Sequence, residues 1–203
     1  MGKLYAFIKY VGGAIMRLIF RQNIIGKENI PSDGGFILCC NHTHFMDVAF
    51  LVVAFKQQIY FMAKQELFGS PLAAKFLTAM GAFPVQRGAG ASASNSVKTA
   101  ENIVNSGKVM GIFPEGTRSP DGSPKKAKSG VALIAASTKA KVVPVSIYYE
   151  GKLKLFKKVT VRIGKPIEPE DLAMVDNGRS EIRRVATLIM DRITEQWQAG
   201  HSV

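Results

Sequence analysis

The 203-residue chain has few of the residues that would announce a staple or a metal cage: two cysteines and three histidines. The cysteines, Cys39 and Cys40, are adjacent, which excludes a disulfide framework and suggests a reducing compartment. Acids are scarce beside bases, 15 against 27, giving a formal net charge of +12. That excess predicts an anionic partner: nucleic acid, acidic membrane, acidic protein or phosphorylated substrate. No apolar run approaches the roughly 18–20 residues that span a bilayer. The longest, Val48 to Phe55, has the length of a core helix. A secretory leader is not expected either, because Lys9 and Arg17 interrupt the first apolar stretch and no small-residue cleavage site follows. Internal repeats and low-complexity segments are lacking.

Hydrophobic residues at 47% and charged residues at 21% exclude wholesale disorder, and the length fits one domain or one domain with a small appendage. The basic excess is uneven. Residues 1–30 carry five Lys or Arg against one acid, residues 131–170 carry eight against three, and residues 171–203 are slightly acidic.

Residues 3–20 read as a helix in which Leu4, Ile8, Val11, Ile15 and Leu18 recur at spacings of four and three. Lys3, Lys9, Arg17 and Arg21 fall on the other side. Two readings stay open: a surface helix packed on the domain, or an in-plane membrane anchor with aromatics Tyr5, Phe7 and Tyr10 near the boundary. Residues 1–22 are therefore expected to form an amphipathic segment preceding a domain of residues 23–203. From Gly35 onward strands and helices alternate. Strands are expected at 36–40, 59–62, 109–113, 142–147 and 159–163. Helices are expected at 45–55, 71–80, 92–106 and 131–138, and around Ile182, Val185, Ile189 and Ile193. This pattern predicts an α/β domain with a largely buried sheet, whose ligands gather at loops beyond strand ends.

Four segments sit at such places. Asn41-His42-Thr43-His44-Phe45-Met46-Asp47 follows a strand and opens a helix. Neutral imidazole takes a proton near pH 7, so His42 is a candidate general base. Residues five apart on one helix diverge by about 140°, so His42 meets Asp47 only if the histidine lies in the turn. Asp47 would then fix the imidazole tautomer and stabilise the imidazolium. The plainer alternative is a first-turn acid favoured by the helix dipole, beside solvated histidines. Phe113-Pro114-Glu115-Gly116-Thr117-Arg118-Ser119 offers close backbone approach at Gly116, a guanidinium fork at Arg118 and hydroxyls at Thr117 and Ser119, or simply a polar turn. Gly81 to Gly88 delivers Arg87 among small residues, as an anion receptor or an exposed edge. Val142 to Ile147 is a strand whose Pro144 implies an edge or bulge position.

In order and spacing these four segments together resemble the four blocks of the glycerolipid acyltransferases, over roughly residues 20–170. His42 and Asp47 match the first motif, histidine, four residues, aspartate. Gly81 to Arg87 is similar to the second, Phe113 to Ser119 to the third nearly in full, and Val142 to Ile147 to the fourth. His44 departs from the serine often found there. The resemblance implies a single acyltransferase domain with a mixed, mostly buried sheet flanked by helices. It implies transfer of a fatty acyl group from a thioester, on acyl-carrier protein or coenzyme A, to the hydroxyl of 1-acyl-glycerol-3-phosphate. His42 would be the base, Asp47 its orienter, Arg87 and Arg118 the phosphate ligands, and Glu115, Gly116 and Thr117 further substrate-binding residues. It implies no metal and no cofactor beyond the thioester co-substrate. It also implies lysophosphatidate and a lipid surface as partners, at the cytoplasmic face of the cell membrane.

Rivals are a metal site of Cys39, Cys40, His42 and His44, and a Cys40 nucleophile. A third rival is a non-enzymatic basic module for acidic lipid or nucleic acid. Adjacent cysteines point to opposite strand faces and lack Cys-x-x-Cys spacing, and the lysines around Lys152 to Lys158 accompany no nucleic-acid motif, so nucleic acid is not expected. Lys125, Lys126 and Lys128 are either a donor-binding patch or a solvated basic face.

Overall fold

The computed structural model describes residues 2–85, 91–119, 121–176 and 178–202. Its strands are β1 (Arg21–Ile25), β2 (Phe36–Cys40), β3 (Ile59–Lys64), β4 (Ala82–Val85), β5 (Val109–Ile112), β6 (Val142–Tyr148) and β7 (Lys158–Ile163). Its helices are α1 (Lys3–Ile19), α2 (Asp47–Ala54), α3 (Pro71–Ala79), α4 (Ala91–Asn105), α5 (Gly130–Thr138) and α6 (Arg179–Gln198). Among the described residues the strands form one sheet in the order β1-β7-β6-β2-β5-β3-β4. The five from β6 to β4 are parallel, β7 is antiparallel to β6, and β1 runs with β7. The carboxyl ends of the parallel strands therefore share one end of the sheet, where β7 and β1 begin.

The central strands are buried on both faces, which is why β2 reads as an unbroken apolar run rather than an alternation. Phe36, Leu38 and Cys40 point into the layer of α1 and α2, against Phe20, Phe50 and Phe55. Ile37 and Cys39 point into the layer of α4, α5 and α6, against Val104, Ile134 and Ile189. Two strands went unread in the sequence. β4 is four residues with Pro84 inside, a composition an edge strand tolerates. β1 is also an edge, beginning with three polar residues. Pro144, by contrast, lies in an interior strand. The β6 ladder with β7 stops at Val145 paired with Ile163, and an isolated bridge joins Val142 to Ile167. Between them Pro144 needs no donor and accepts from the Gly164 N–H at 2.8 Å.

α1 packs on α2 and runs against its direction. Tyr5 reaches the start of β3, Gly13 lies against Val53 at 3.6 Å, and the rings of Phe20 and Phe50 meet edge-on at 5.2 Å. Lys9, expected on the polar side, turns inward. Its Nζ donates to the carbonyls of Phe55 (2.5 Å) and Lys56 (2.6 Å) at the foot of α2, where the helix dipole favours a cation. Burial pushes its pKa down. Tyr5, Gly13 and Met16 are the buried residues, whereas Leu4, Phe7, Val11, Ile15 and Leu18 are exposed. Most of the apolar stripe read from the sequence thus faces outward, and a second, smaller face does the packing. Among the described residues no helix is long and apolar enough to cross a membrane.

Candidate active site

β2 ends at Cys40, and the next residue closes the sheet with its side chain. Asn41 is fully buried, and its amide substitutes for one more strand residue. Nδ2 donates to Ile147 O at 3.0 Å, and Ile147 N–H donates to Oδ1 at 2.8 Å. The main chain is thereby free to leave the sheet at His42 without orphaning β6. Both main-chain groups of His42 are then held by the loop after β5. His42 N–H donates to Glu115 Oε1 at 2.9 Å, and Ser119 N–H donates to His42 O at 2.7 Å.

Asp47 is fully buried in the first turn of α2. Its Oδ2 receives His42 Nδ1 at 2.9 Å, Thr43 N–H at 2.7 Å and His44 N–H at 2.8 Å, while Oδ1 has no hydrogen-bond partner. An ionised carboxylate only accepts, so the His42 proton sits on Nδ1 and the lone pair is carried by Nε2. The imidazole stacks on Phe113, with centroids 4.0 Å apart and planes 20° apart, and Phe113 stacks in turn on Phe61 at 5.8 Å. Gly111 makes room for this pile, because a Cβ there would run into the Phe61 ring. The His42 side chain keeps 19% of its surface, enough to meet a substrate hydroxyl. Beside it Thr43 and Tyr149 share a hydroxyl–hydroxyl bond of 2.8 Å.

Glu115, expected to touch substrate, is 3% exposed and lies behind the His42 main chain. Burial pushes its pKa up to about 7, against the pull of the His42 amide and charge and of Lys125. Its Oε2 has no partner. Gly116 adopts φ +69°, and the Lys128 side chain lies across it, so a Cβ would come within 2.9–3.1 Å of Cδ, Cε and Nζ. Thr117 and Arg118 are exposed in the same loop. Arg87 lies outside the described residues. The structure thus brings His42, Asp47, Glu115 and Gly116 together and sets Thr117 and Arg118 in the adjoining loop. The sequence reading gave no role to Asn41, although an amide at a strand end followed by the candidate base is a usable signal. It also missed the stacking of Phe113 on the imidazole.

Cys39 and Cys40 fall in opposite layers, so the four side chains of the metal rival do not converge. Burial pushes both thiols up, and Asp47 and Glu115 push Cys40 further. A buried neutral thiol is a poor nucleophile.

A histidine oriented by Asp47, with 19% of its side chain exposed at the carboxyl ends of parallel strands, is a candidate site for activating a hydroxyl or water. Comparison with known proteins gives the chemistry. The family model described as Acyltransferase matches residues 21–148. A 1-acyl-sn-glycerol-3-phosphate acyltransferase of Bacillus subtilis (strain 168) is 34% identical over 198 residues, 95% of this chain and 96% of that protein. One from Streptococcus pneumoniae is 30% identical, over 94% of this chain and 75% of its own length. The crystal structure of the 1-acyl-sn-glycerophosphate (LPA) acyltransferase, PlsC, from Thermotoga maritima superposes with a TM-score of 0.71 at 26% identity, covering 99% of this chain and 81% of that one. The chain belongs to the acyltransferase family. It is an enzyme, and the site built on His42 lies inside the matched region.

Proposed function

We propose that the protein transfers a fatty acyl group from an acyl thioester to the sn-2 hydroxyl of 1-acyl-glycerol-3-phosphate, forming phosphatidate. The observation that carries this reading is the three-donor grip of Asp47 Oδ2, which leaves His42 Nε2 as the proton acceptor. Nε2 takes the hydroxyl proton while the oxygen attacks the thioester carbonyl. The C–O bond forms, the C–S bond breaks, and the departing thiolate takes the proton back from the imidazolium. The base returns to its starting state with no acyl-enzyme formed. Asp47 stabilises the transient imidazolium at 2.9 Å, and Phe113 fixes the plane in which Nε2 points. Arg118, exposed in the adjoining loop, together with Arg87, receives the acceptor phosphate as a planar fork. Gly116 and Thr117 bound the glycerol end. Glu115 acts through the His42 main chain.

Because this acceptor resides in a bilayer, we read the outward stripe of α1 as an in-plane contact with the cytoplasmic face of the membrane, helped by Lys3 and Arg17. Truncation is a poor test, since it would also remove Tyr5, Met16 and Lys9 from the core. Exchange of Leu4, Phe7 and Leu18 for serine leaves those in place. It should lower sedimentation with anionic vesicles with little change in Tm; unchanged sedimentation would reject this role of α1.

The test of the reaction is transfer of radiolabelled acyl groups by purified protein, with acyl-carrier-protein and coenzyme A donors run side by side on lysophosphatidate and on other lysolipids. Labelled phosphatidate is expected from at least one donor. Label in another lysolipid only would change the acceptor, and no transfer from either donor would overturn the reading.

A further inference from the structure

The loop from Tyr149 to Lys157 joins β6 to β7 at the active-site end of the sheet. It holds a bulky residue in an unfavourable backbone conformation. Lys157 N–H donates to Lys154 O at 3.2 Å, closing a turn whose third residue is Phe156. Phe156 has φ +62°, the left-handed region that glycine occupies freely and a bulky aromatic residue avoids. Its ring is not buried in return: Phe156 is 69% exposed and its neighbour Leu155 67%. Around this apolar tip stand Lys152, Lys154, Lys157 and Lys158, with Glu150 as the one acid of the loop. The tip does not hang free. Phe156 N–H donates to Ile19 O, the last residue of α1, at 2.7 Å. Arg21 N–H donates to Lys157 O at 3.1 Å. Leu153 and Tyr149 pack on the core beneath it. The tip is therefore fixed to the end of the helix whose outer face carries Leu4, Phe7, Val11, Ile15 and Leu18.

We infer that the Leu155–Phe156 tip is a second membrane contact, a wedge held at a fixed place on the same end of the sheet as the active site and flanked by lysines that meet anionic headgroups. Three features select a lipid surface as the occupant. Two adjacent large apolar side chains are held outward in a turn where a polar residue or glycine would cost less. The surrounding charge is predominantly positive, four lysines against Glu150, complementary to an anionic leaflet. The tip is also tied to the end of α1 by the Phe156–Ile19 backbone hydrogen bond, so the two contacts belong to one rigid frame. Two contacts define an orientation where one helix leaves rotation free, and a lipid-borne hydroxyl must meet Nε2 in one orientation. The inference rests on the reading of the acceptor as a bilayer lipid for its purpose, but its test does not involve catalysis.

The probe is a vesicle of phosphatidylcholine with phosphatidylglycerol, and a second of phosphatidylcholine alone. Phe156→Gly removes the ring and relaxes the backbone, so Tm should hold or rise while affinity for the mixed vesicles falls by about ten-fold, the worth of part of an aromatic side chain leaving water. Lys152→Gln with Lys154→Gln should cost roughly five-fold per charge on mixed vesicles and little on neutral ones. A direct reading comes from Phe156→Trp with bromine-labelled lipid: fluorescence quenching above that of the Trp197 background places the side chain among acyl chains. Unaltered affinity in Phe156→Gly at full stability, or no added quenching in Phe156→Trp, overturns the inference. A protein that binds vesicles through this tip yet transfers no acyl group would instead fail the reaction proposed above.

Discussion

Asp47→Asn separates stability from catalysis in one substitution. In the native site Asp47 is fully buried, one oxygen takes three donors and the other takes none. Asparagine keeps one acceptor oxygen for the amides of Thr43 and His44 but removes the charge. Hydrogen bonds to a charged acceptor are worth ~1.5–3 kcal/mol and neutral ones ~0.5–1.5, so three of them lose about 3 kcal/mol in all. Against this, taking an ion out of a buried place relieves a penalty of several kcal/mol. The two nearly cancel, and the variant should stay within about 2 kcal/mol of the wild type, a Tm change of no more than about 8 °C. Catalysis has no such compensation. The asparagine oxygen at the Oδ2 place still accepts from Nδ1 and the NH2 takes the unpartnered Oδ1 place, but the imidazolium loses its counter-charge. A fall in kcat of roughly 10²–10⁴ is expected, with the KM values of both substrates little moved. Asp47→Ala is the control. It leaves the half-buried amides of Thr43 and His44 without their acceptor, at up to about 1–3 kcal/mol each, so it should lose stability as well as rate. Steady-state kinetics beside thermal denaturation reads both quantities. An Asn variant that keeps a tenth or more of wild-type kcat, or that loses rate only because it unfolds, would refute the assignment of Asp47 as the orienting group.

Three further outcomes follow from the same geometry. His42→Ala should lower kcat by about 10²–10⁴ with the fold intact, while His44→Ala should be mild, because His44 serves Asp47 through its backbone; reversed effects would exchange their roles. Arg118→Ala should raise the KM for lysophosphatidate by roughly 10- to 150-fold, one charge-assisted contact of ~1.5–3 kcal/mol, with donor KM little changed; an unmoved acceptor KM counts against phosphate binding. Glu115 gives a pH dependence of known sign: its pKa rises from 4.5 to about 7 on folding, so the folded state binds the extra proton in that window. Stability should fall as pH climbs through it, by up to about 3 kcal/mol. Glu115→Gln keeps an acceptor for the His42 amide and should gain on the wild type between pH 5 and pH 8 in denaturant titrations, whereas parallel curves would remove the buried charge from the account.

What the sequence made legible, and what it hid, divides along chain distance. His42 and Asp47 stand five positions apart, and helix geometry alone states the condition under which the two side chains meet. The structure meets that condition by starting α2 at Asp47, two residues later than the apolar pattern suggested. The strands buried on both faces were visible as unbroken apolar runs, and β1 and β4 were not, because an edge strand needs neither length nor apolarity. Contacts that make the histidine usable are of another kind. Glu115 reaches the His42 amide across 73 residues, and Asn41 bonds Ile147 across 106. Phe113 covers the imidazole only because β2 and β5 are neighbours in the sheet. A motif marks such residues without saying what they touch. For Glu115 the difference is mechanistic: a carboxylate read as reaching for substrate is buried behind the base and holds the main chain that carries it. For α1 the apolar periodicity marks the outer face, and the packing falls on a second, smaller one. One buries Tyr5, Gly13 and Met16, and the other leaves Leu4, Phe7, Tyr10, Val11, Ile15 and Leu18 in the open. The inner face fixes the helix on α2, with Lys9 turned inward to cap it, and the proposed membrane contact uses the outer one. Holding both in one rigid element fixes the outward stripe relative to the sheet end from which His42 projects.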